Sequence, residues 1–325
     1  MQSDHVRLLA KVARLYHERG LRQHEIAETL HVSQARVSRL LKEAVEQGIV
    51  RSIVVLPPGI HTDLEEAVCD RFGLRDVVVV NTDGAGSDIA AALGSAAAAY
   101  LEVTLTGGDV IGVSTWSGSL LAVAESMRRK PQPVADRVIQ LFGGVGNAAV
   151  QAHATRITSR LAQVTGATPV LVPTPGVVGS PEIQRAMMGD PSVSAVCEQW
   201  PDVTLSLVGI GSLSPSPLLE DSGNALGQDD QATLRRAGAV GDICLRFFDA
   251  SGDPVASQFD ERVMGIGVEG LRSIPRRVAV AGGRAKAEAI RAALVGQWVN
   301  VLVTDVEVAE LLLAGAGGGG LQSAP

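Results

Sequence analysis

The sequence predicts an α/β protein: an N-terminal winged helix-turn-helix followed by a mainly parallel, Rossmann-like α/β domain. Three observations carry that reading. From residue 76 onward, short β-rich runs alternate with Ala-rich helical stretches, the pattern of a parallel sheet covered on both faces. Hydrophobic residues are 46% of the chain and aromatic residues only 3%, so the core must be built from Ala, Val, Leu and Ile, as buried parallel strands are. Residues 23–49, QHEIAETLHVSQARVSRLLKEAVEQGI, have the spacing of two short helices joined by a tight turn.

Residues 5–18 read as a first helix, and 22–30 and 33–47 as the helix pair. Ile26 and Ala27 face inward, and the small Ala27 lets a second helix cross closely. His31 holds the turn position often occupied by Gly, at a cost of roughly 1 kcal/mol for a left-handed residue. Ser33 is an expected N-cap. Val37, Leu40 and Leu41 recur at i, i+3 and i+4 as a buried stripe, which leaves Gln34, Ala35, Arg36, Ser38, Arg39 and Lys42 outside. Short polar and basic groups near the N-terminus of a second helix are what entry into a DNA major groove requires. Gln34, Arg36 and Arg39 are therefore assigned to base edges, and Ser33, Ser38, Lys42 and Arg51 to phosphates. The plainer alternative is a helical hairpin with a solvated outer face.

Gly48 stops the third helix, and residues 49–56 have strand character suited to a wing. Pro57-Pro58-Gly59 ends any regular element. The expected domains are 1–56, 57–315 and a low-complexity, disordered tail at 316–325. Beyond the boundary, helix 62–72 leads into strand candidates at 77–80, 110–114, 138–142, 168–172, 203–210, 242–248, 277–281 and 299–304. Helices are expected at 87–103, 117–129, 152–165, 181–188, 230–236, 284–295 and 306–314. No repeat period emerges.

Several strands run into Gly or small polar residues just before a helix: Ser114-Thr115-Trp116-Ser117-Gly118, Gly143-Gly144-Val145-Gly146-Asn147, Gly211-Ser212, Gly282-Gly283-Arg284-Ala285-Lys286 and Thr304-Asp305. Ligands of open α/β sheets collect at the carboxyl ends of strands. Glycine there admits backbone N–H groups to an oxygen-rich ligand, and a helix N-terminus favours an anion. Ser114, Thr115 and Ser117 add hydroxyl donors, Lys286 a full positive charge, and Asp305 an acceptor suited to sugar hydroxyls. The combination describes a pocket for a phosphorylated, polyhydroxylated small molecule. Taken singly, a Gly-Gly after a strand is most often only a turn, Lys286 a solvated lysine, and Asp305 the cap of the helix at 306. Trp116 in a Ser/Gly loop marks a ligand or subunit contact more often than plain core. His153 is the sole histidine after residue 61, and a lone histidine is usually structural.

Net charge is −7, which by itself argues against a nucleic-acid partner. Residues 1–56, however, hold nine Lys/Arg against six Asp/Glu, a net of +3, and the remainder carries −10. A basic head on an acidic body fits a DNA reader whose second domain does not touch DNA. So small an excess implies more than one head per site. Cys69, Cys197 and Cys244 are far apart and show neither a disulfide nor a metal pattern, so no metal is expected. With no apolar run near 18 residues and no secretion signal, no membrane partner and a cytoplasmic location are expected.

The chain resembles the SorC family of sugar-binding transcriptional regulators over residues 5–315. The resemblance is carried by Gln23-His24-Glu25-Ile26-Ala27, Val37-Ser38-Arg39-Leu40-Leu41, Gly112-Val113-Ser114-Thr115-Trp116-Ser117, Gln140-Leu141-Phe142-Gly143-Gly144, Pro173-Thr174-Pro175-Gly176, Gly238-Ala239-Val240-Gly241-Asp242-Ile243, Ala281-Gly282-Gly283 with Lys286, and Leu302-Val303-Thr304-Asp305. It implies an effector domain of the sugar-phosphate isomerase and CoA-transferase type, assembly as a homotetramer or dimer of dimers, and control by a sugar or polyol phosphate. It places Ser114, Thr115, Ser117, Gly143, Gly144 and Lys286 at the phosphate, and Asp242 and Asp305 on the sugar side. Some relatives hold an effector through a lysine in the second glycine loop; Leu141-Phe142-Gly143-Gly144 has none. The expected function is that of an operator-binding regulator, a repressor of carbohydrate-metabolism genes, with no cofactor. The alternative, a sugar-phosphate isomerase or deaminase, needs a positioned acid–base pair. No strand-end carboxylate pair stands beside His153, so no catalytic residue is assigned. A third possibility is a basic head that binds protein.

Overall fold

A computed structural model describes residues 2–50, 59–82, 89–145, 148–213 and 227–314. The chain divides into two compact units, Met1–Pro57 and Pro58–Pro325. The wing expected at 49–56 and the tail at 316–325 lie almost wholly outside the described residues.

The first unit packs α1 (Gln2–His17), α2 (Gln23–Leu30) and α3 (Gln34–Glu46). Leu9, Val12, Ala13, Ile26, Ala27, Val37, Leu40, Leu41 and Ala44 form its core. The turn between α2 and α3 is left-handed at His31 (φ 51°, ψ 44°), and Val32 N–H closes it onto Ala27 O at 3.0 Å. Ser33 Oγ accepts Arg36 N–H at 3.2 Å, satisfying one of the first-turn donors a helix leaves open.

The second unit begins with α4 (Thr62–Phe72), β1 (Asp76–Val80), α5 (Ile89–Thr104), β2 (Asp109–Val113), α6 (Gly118–Ser126), β3 (Ala135–Gln140), α7 (Ala148–Thr165) and β4 (Thr168–Val170). It continues through α8 (Pro181–Met188), α9 (Pro191–Cys197), β5 (Leu205–Val208), β6 (Gly211–Ser212), α10 (Gln228–Arg236), β7 (Ala239–Ile243) and β8 (Arg246–Asp249). It closes with α11 (Val268–Ser273), β9 (Arg276–Val280), α12 (Ala287–Val295), β10 (Val301–Asp305) and α13 (Val306–Ala314). Seven strands make one sheet in the order β1-β10-β9-β5-β2-β3-β4, and every pairing is parallel.

Alternate residues of these strands enter different cores. Ile111, Val113, Val138, Leu205, Val278, Val280, Val301 and Val303 pack with α5, α6 and α7. Val110, Ile139, Ala279 and Leu302 pack on the other face with α4, α12 and α13. Burial on both faces explains why the strands read as unbroken Val/Ile/Leu runs rather than alternating ones.

Two stretches differ from the sequence reading: Gly211–Ser212, expected as a loop leading into a helix, is strand β6, paired antiparallel with β7, and the second is the run 242–248. Residues 242–248 are not a strand of the parallel sheet. They fold as a hairpin, β7 turning into β8, in a separate antiparallel sheet of order β6-β7-β8. The turn is made by Cys244 (φ 54°) and Leu245 (φ 62°), both buried. Tight hairpin turns need two left-handed residues, and Gly or Asn normally supplies them; neither is present to signal the turn. The short α9 and α11 were also invisible in sequence, being too brief to show a helical period.

Candidate functional site

In the first unit, α3 presents Gln34, Arg36, Ser38, Arg39 and Lys42 as exposed side chains while Val37, Leu40 and Leu41 are buried. Ser33 is exposed but committed as a cap. Arg39 Nε donates to Ala35 O at 3.3 Å, and Lys42 lies 3.8 Å from Glu46. Exposed contacts of this kind are worth little and leave both cations available. Arg51 lies outside the described residues.

In the second unit, strand order decides the geometry. The chain winds outward from β2 through β3 to β4, then restarts at β5 on the other side of β2 and winds through β9 to β10. The reversal between β2 and β5 is a topological switch point, where ligand crevices form. The glycine- and serine-bearing loops follow β10, β9, β5, β2 and β3, five consecutive neighbours, so they open along one edge. At about 4.8 Å per strand that row is about 19 Å long, too wide for every loop to touch one monosaccharide.

The switch point is stitched by Ser114. Its N–H donates to Leu207 O at 3.1 Å, and its Oγ accepts Gly209 N–H at 3.2 Å. Ser117 caps α6, accepting Leu120 N–H at 3.4 Å. Lys286 reaches across from the loop after β9, donating from Nζ to Ile210 O at 3.0 Å. Burial lowers the Lys286 pKa, against the pull of Asp242. Burial likewise raises Asp242 from its ordinary 3.8 to about 6, offset in part by Leu245 N–H and then by Lys286. For both members desolvation outweighs their mutual attraction.

Gly143 and Asp305, both expected at the ligand, are also engaged by the protein itself. Gly143 N–H donates to Met264 O at 2.7 Å, and a Cβ there would collide with the Pro175 carbonyl. A Cβ at Gly144 would meet Ala154 Cβ at 3.1 Å and Gln140 Nε2 at 3.3 Å. These glycines allow close packing of the loop. Asp305 is 1% exposed; its Oδ2 accepts Gly283 N–H at 2.6 Å and its Oδ1 accepts Val308 N–H at 3.0 Å. It caps α13 and braces the loop that leads to Lys286. Asp305→Ala should therefore destabilise the protein by about 2 kcal/mol, from one buried and one part-buried backbone donor left unmet, and Asp305→Asn by less. Urea unfolding measures this; a loss under about 0.5 kcal/mol would mean that the donors find other acceptors.

Among the buried polar atoms without a hydrogen-bond partner, Thr115 Oγ1, Trp116 Nε1 and Thr174 Oγ1 lie in the loops at this edge, and Ser206 Oγ and Thr304 Oγ1 lie within β5 and β10. Thr115 and Thr174 are 0% exposed. The Trp116 ring packs edge-on against Phe142, centroids 4.9 Å apart, and Gly176 lies against it so closely that a Cβ would clash. Trp116 and Thr174 were not assigned from sequence as effector contacts. The signal for Trp116 was its place in a Ser/Gly loop; Thr174 carried none of its own. The His153 side chain and residues 146–147 lie outside the described residues. Among the described residues no group of three or more His, Cys, Asp or Glu is placed to hold a metal, and no helix is long and apolar enough to cross a membrane.

Comparison with known proteins agrees with this architecture. The family model "Putative sugar-binding domain" matches residues 58–314, and the "MarR family" model matches residues 12–54. The chain is 32% identical to the deoxyribonucleoside regulator of Bacillus subtilis over 316 residues, covering 96% of this chain and 99% of that one. It is 31% identical to the sorbitol operon regulator of Klebsiella pneumoniae, with the same coverage. The crystal structure of the full-length Klebsiella pneumoniae protein superposes with a TM-score of 0.72 at 29% identity, over 95% of this chain and 99% of that chain.

Proposed function

This chain belongs to the SorC family of sugar-binding transcriptional regulators, and we propose that it is a cytoplasmic repressor of carbohydrate-metabolism genes released from or recruited to its operator by a phosphorylated sugar or polyol. The effector lies at the β2/β5 switch point, with its phosphate on Lys286 and the Ser114–Ser117 loop, and Asp242 on the sugar side. The observation that carries this reading is the trio Thr115 Oγ1, Trp116 Nε1 and Thr174 Oγ1, buried without partners. An unmet buried polar atom costs about 1–3 kcal/mol, so three on adjoining loops fit a site that a polyhydroxylated ligand completes. The names of the relatives, a sorbitol operon regulator and a deoxyribonucleoside regulator, favour a polyol or pentose. The DNA-reading groups are Gln34, Arg36 and Arg39, flanked by Ser33, Ser38, Lys42 and Arg51. The +3 charge of residues 1–56 favours a homo-oligomer, a dimer of dimers, that sets two or more heads on one operator.

A thermal-shift screen of sugar and polyol phosphates against their unphosphorylated parents tests the effector. Stabilisation by the phosphorylated member of a pair is expected. Equal stabilisation by both would remove the phosphate from the reading, and turnover of any compound would replace the sensor by an enzyme.

The Lys286–Asp242 pair adds a pH signature. Because folding raises the Asp242 pKa to about 6, its protonated form is the one the fold favours. Its contribution to stability is present below about pH 4 and is lost as pH rises through about 6. A phosphate dianion arriving at Lys286 would raise the Asp242 pKa further, so binding takes up a proton. Above about pH 7, where a phosphate monoester is already a dianion, effector affinity should fall as pH rises, with a net uptake of protons on binding. Calorimetry in two buffers of different ionisation enthalpy measures that uptake. Asp242→Asn should abolish most of it; an unchanged uptake would assign the proton to another group.

A further inference from the structure

Arg246 is a buried cation that neither surface above employs. It opens β8 and is 9% exposed. Its contact with the Asp260 carboxylate is long, 3.4 Å from Nη1. Its better bonds go to main-chain carbonyls: Nε to Ile266 O, Nη1 to Asp260 O and Nη2 to Gly265 O, each at 3.0 Å. The rigid guanidinium fork fixes several acceptors in one plane, which a lysine ammonium does not.

What Arg246 grips is a strap, residues 262–266, which leaves the 3-10 turn Asp260–Arg262 and then runs extended. The strap is stitched to the loops that follow β3 and β4. Gly143 N–H donates to Met264 O at 2.7 Å and Ile266 N–H to Leu141 O at 2.8 Å. Met264 N–H donates to Gly176 O at 2.9 Å and Val178 N–H to Arg262 O at 3.0 Å. The strap therefore runs between the two loops, forming antiparallel bridges Phe142–Gly265 and Val177–Val263. A Cβ on Gly265 would come within 2.6 Å of Phe142 Cβ, so the fit has no slack. Phe142 and Gly176 are also the two residues against which Trp116 is seated.

The other end of the chain of contacts is the left-handed turn Cys244–Leu245. Non-glycine residues hold that conformation only where their surroundings over-determine it. Here Asp242 Oδ2 accepts Leu245 N–H at 3.0 Å on one side of the turn, and Arg246 is anchored to the strap on the other.

We propose that Arg246 is a positioning residue for the effector site: through the strap 262–266 it sets the loops at Gly143 and Gly176 and hence the seat of Trp116, and the left-handed turn couples that setting to the place of Asp242. The functional meaning rests on the crevice being the effector site; the mechanical claim does not. Hydrogen exchange on the full chain without any ligand therefore tests it separately. In Arg246→Met the amides of Gly143, Val178, Met264 and Ile266 should exchange at least about tenfold faster, while amides of β2 and β9 stay within about twofold of wild type. Arg246→Lys should lie between the two, since it keeps the charge and loses the fork. Unchanged exchange at those four amides would overturn the proposal. So would acceleration spread evenly over the sheet, because Arg246 would then be an ordinary core residue. If Arg246→Met does not fold, Arg246→Lys is judged by the same contrast between strap and sheet. A wild type that binds no sugar phosphate would overturn the effector reading and leave this measurement standing.

Discussion

Lys286→Ala is expected to weaken a phosphorylated effector by about 100-fold or more while changing the affinity for the unphosphorylated sugar by less than about threefold. The asymmetry follows from where the charge sits. Lys286 Nζ is held 3.0 Å from Ile210 O, a neutral carbonyl that orients the ammonium without neutralising it. Burial already disfavours its charge, and Asp242 compensates incompletely. A phosphate dianion brought there recovers what burial took, because electrostatic attraction is strongest where water is excluded. The variant also strands Asp242 without its cation, which raises the Asp242 pKa further and removes the proton uptake as well as the phosphate contact. Calorimetric titration of both ligands into wild type and variant decides the matter. Equal losses for sugar and sugar phosphate would show that the Nζ–Ile210 bond serves the fold of the loop rather than the ligand. Linkage supplies a second check: whatever factor effector binding imposes on operator affinity, the operator must impose on effector affinity, and Lys286→Ala should leave the operator affinity of the ligand-free protein unchanged.

The local parts of this structure were legible in sequence because local rules decide them. Ser33 caps α3, Val37, Leu40 and Leu41 form its buried stripe, and His31 takes the left-handed turn in place of Gly. The Val-rich runs are parallel strands because both their faces are covered. The strand order was not legible. Nothing in residues 110–114 or 203–210 announces that β2 and β5 are neighbours, yet that adjacency makes the switch point. The hairpin at 242–248 was missed for a related reason: the run DICLRFF has no turn residue. Its turn is imposed by tertiary bonds, with Asp242 receiving Leu245 N–H and Arg246 locked to the strap. Glycine and aspartate were ambiguous by chemistry. A Gly that admits a phosphate and a Gly that admits a carbonyl look alike in sequence, and the Gly143 N–H faces Met264 O. Asp305 likewise carries the acceptor oxygens a sugar would use, and both receive backbone N–H groups.

The largest effect on the DNA side is expected from the double change Arg36→Ala and Arg39→Ala, which should lower operator affinity by at least about a thousandfold. Each arginine that reads a base edge contributes about 1–3 kcal/mol, and in the proposed oligomer the pair would act on every head that touches the operator. Neither change should disturb the unit itself. Both side chains are exposed, the α3 core is made by Val37, Leu40, Leu41 and Ala44, and the Arg39 Nε–Ala35 O bond at 3.3 Å is an exposed contact that water replaces. Lys42→Ala should act differently. A lysine on a phosphate carries no sequence information, so this variant should weaken all DNA alike and reduce the slope of log affinity against log salt by about one per engaged head. Competition between operator and scrambled duplex, repeated across salt concentrations, separates the two roles. If the double arginine variant retained operator affinity and sequence preference, α3 would not be the reading helix, and the basic head would have to be assigned to a protein partner. If it lost affinity for operator and scrambled duplex in equal measure, Arg36 and Arg39 would be phosphate contacts, and the sequence reading would fall to Gln34 and the groups around it.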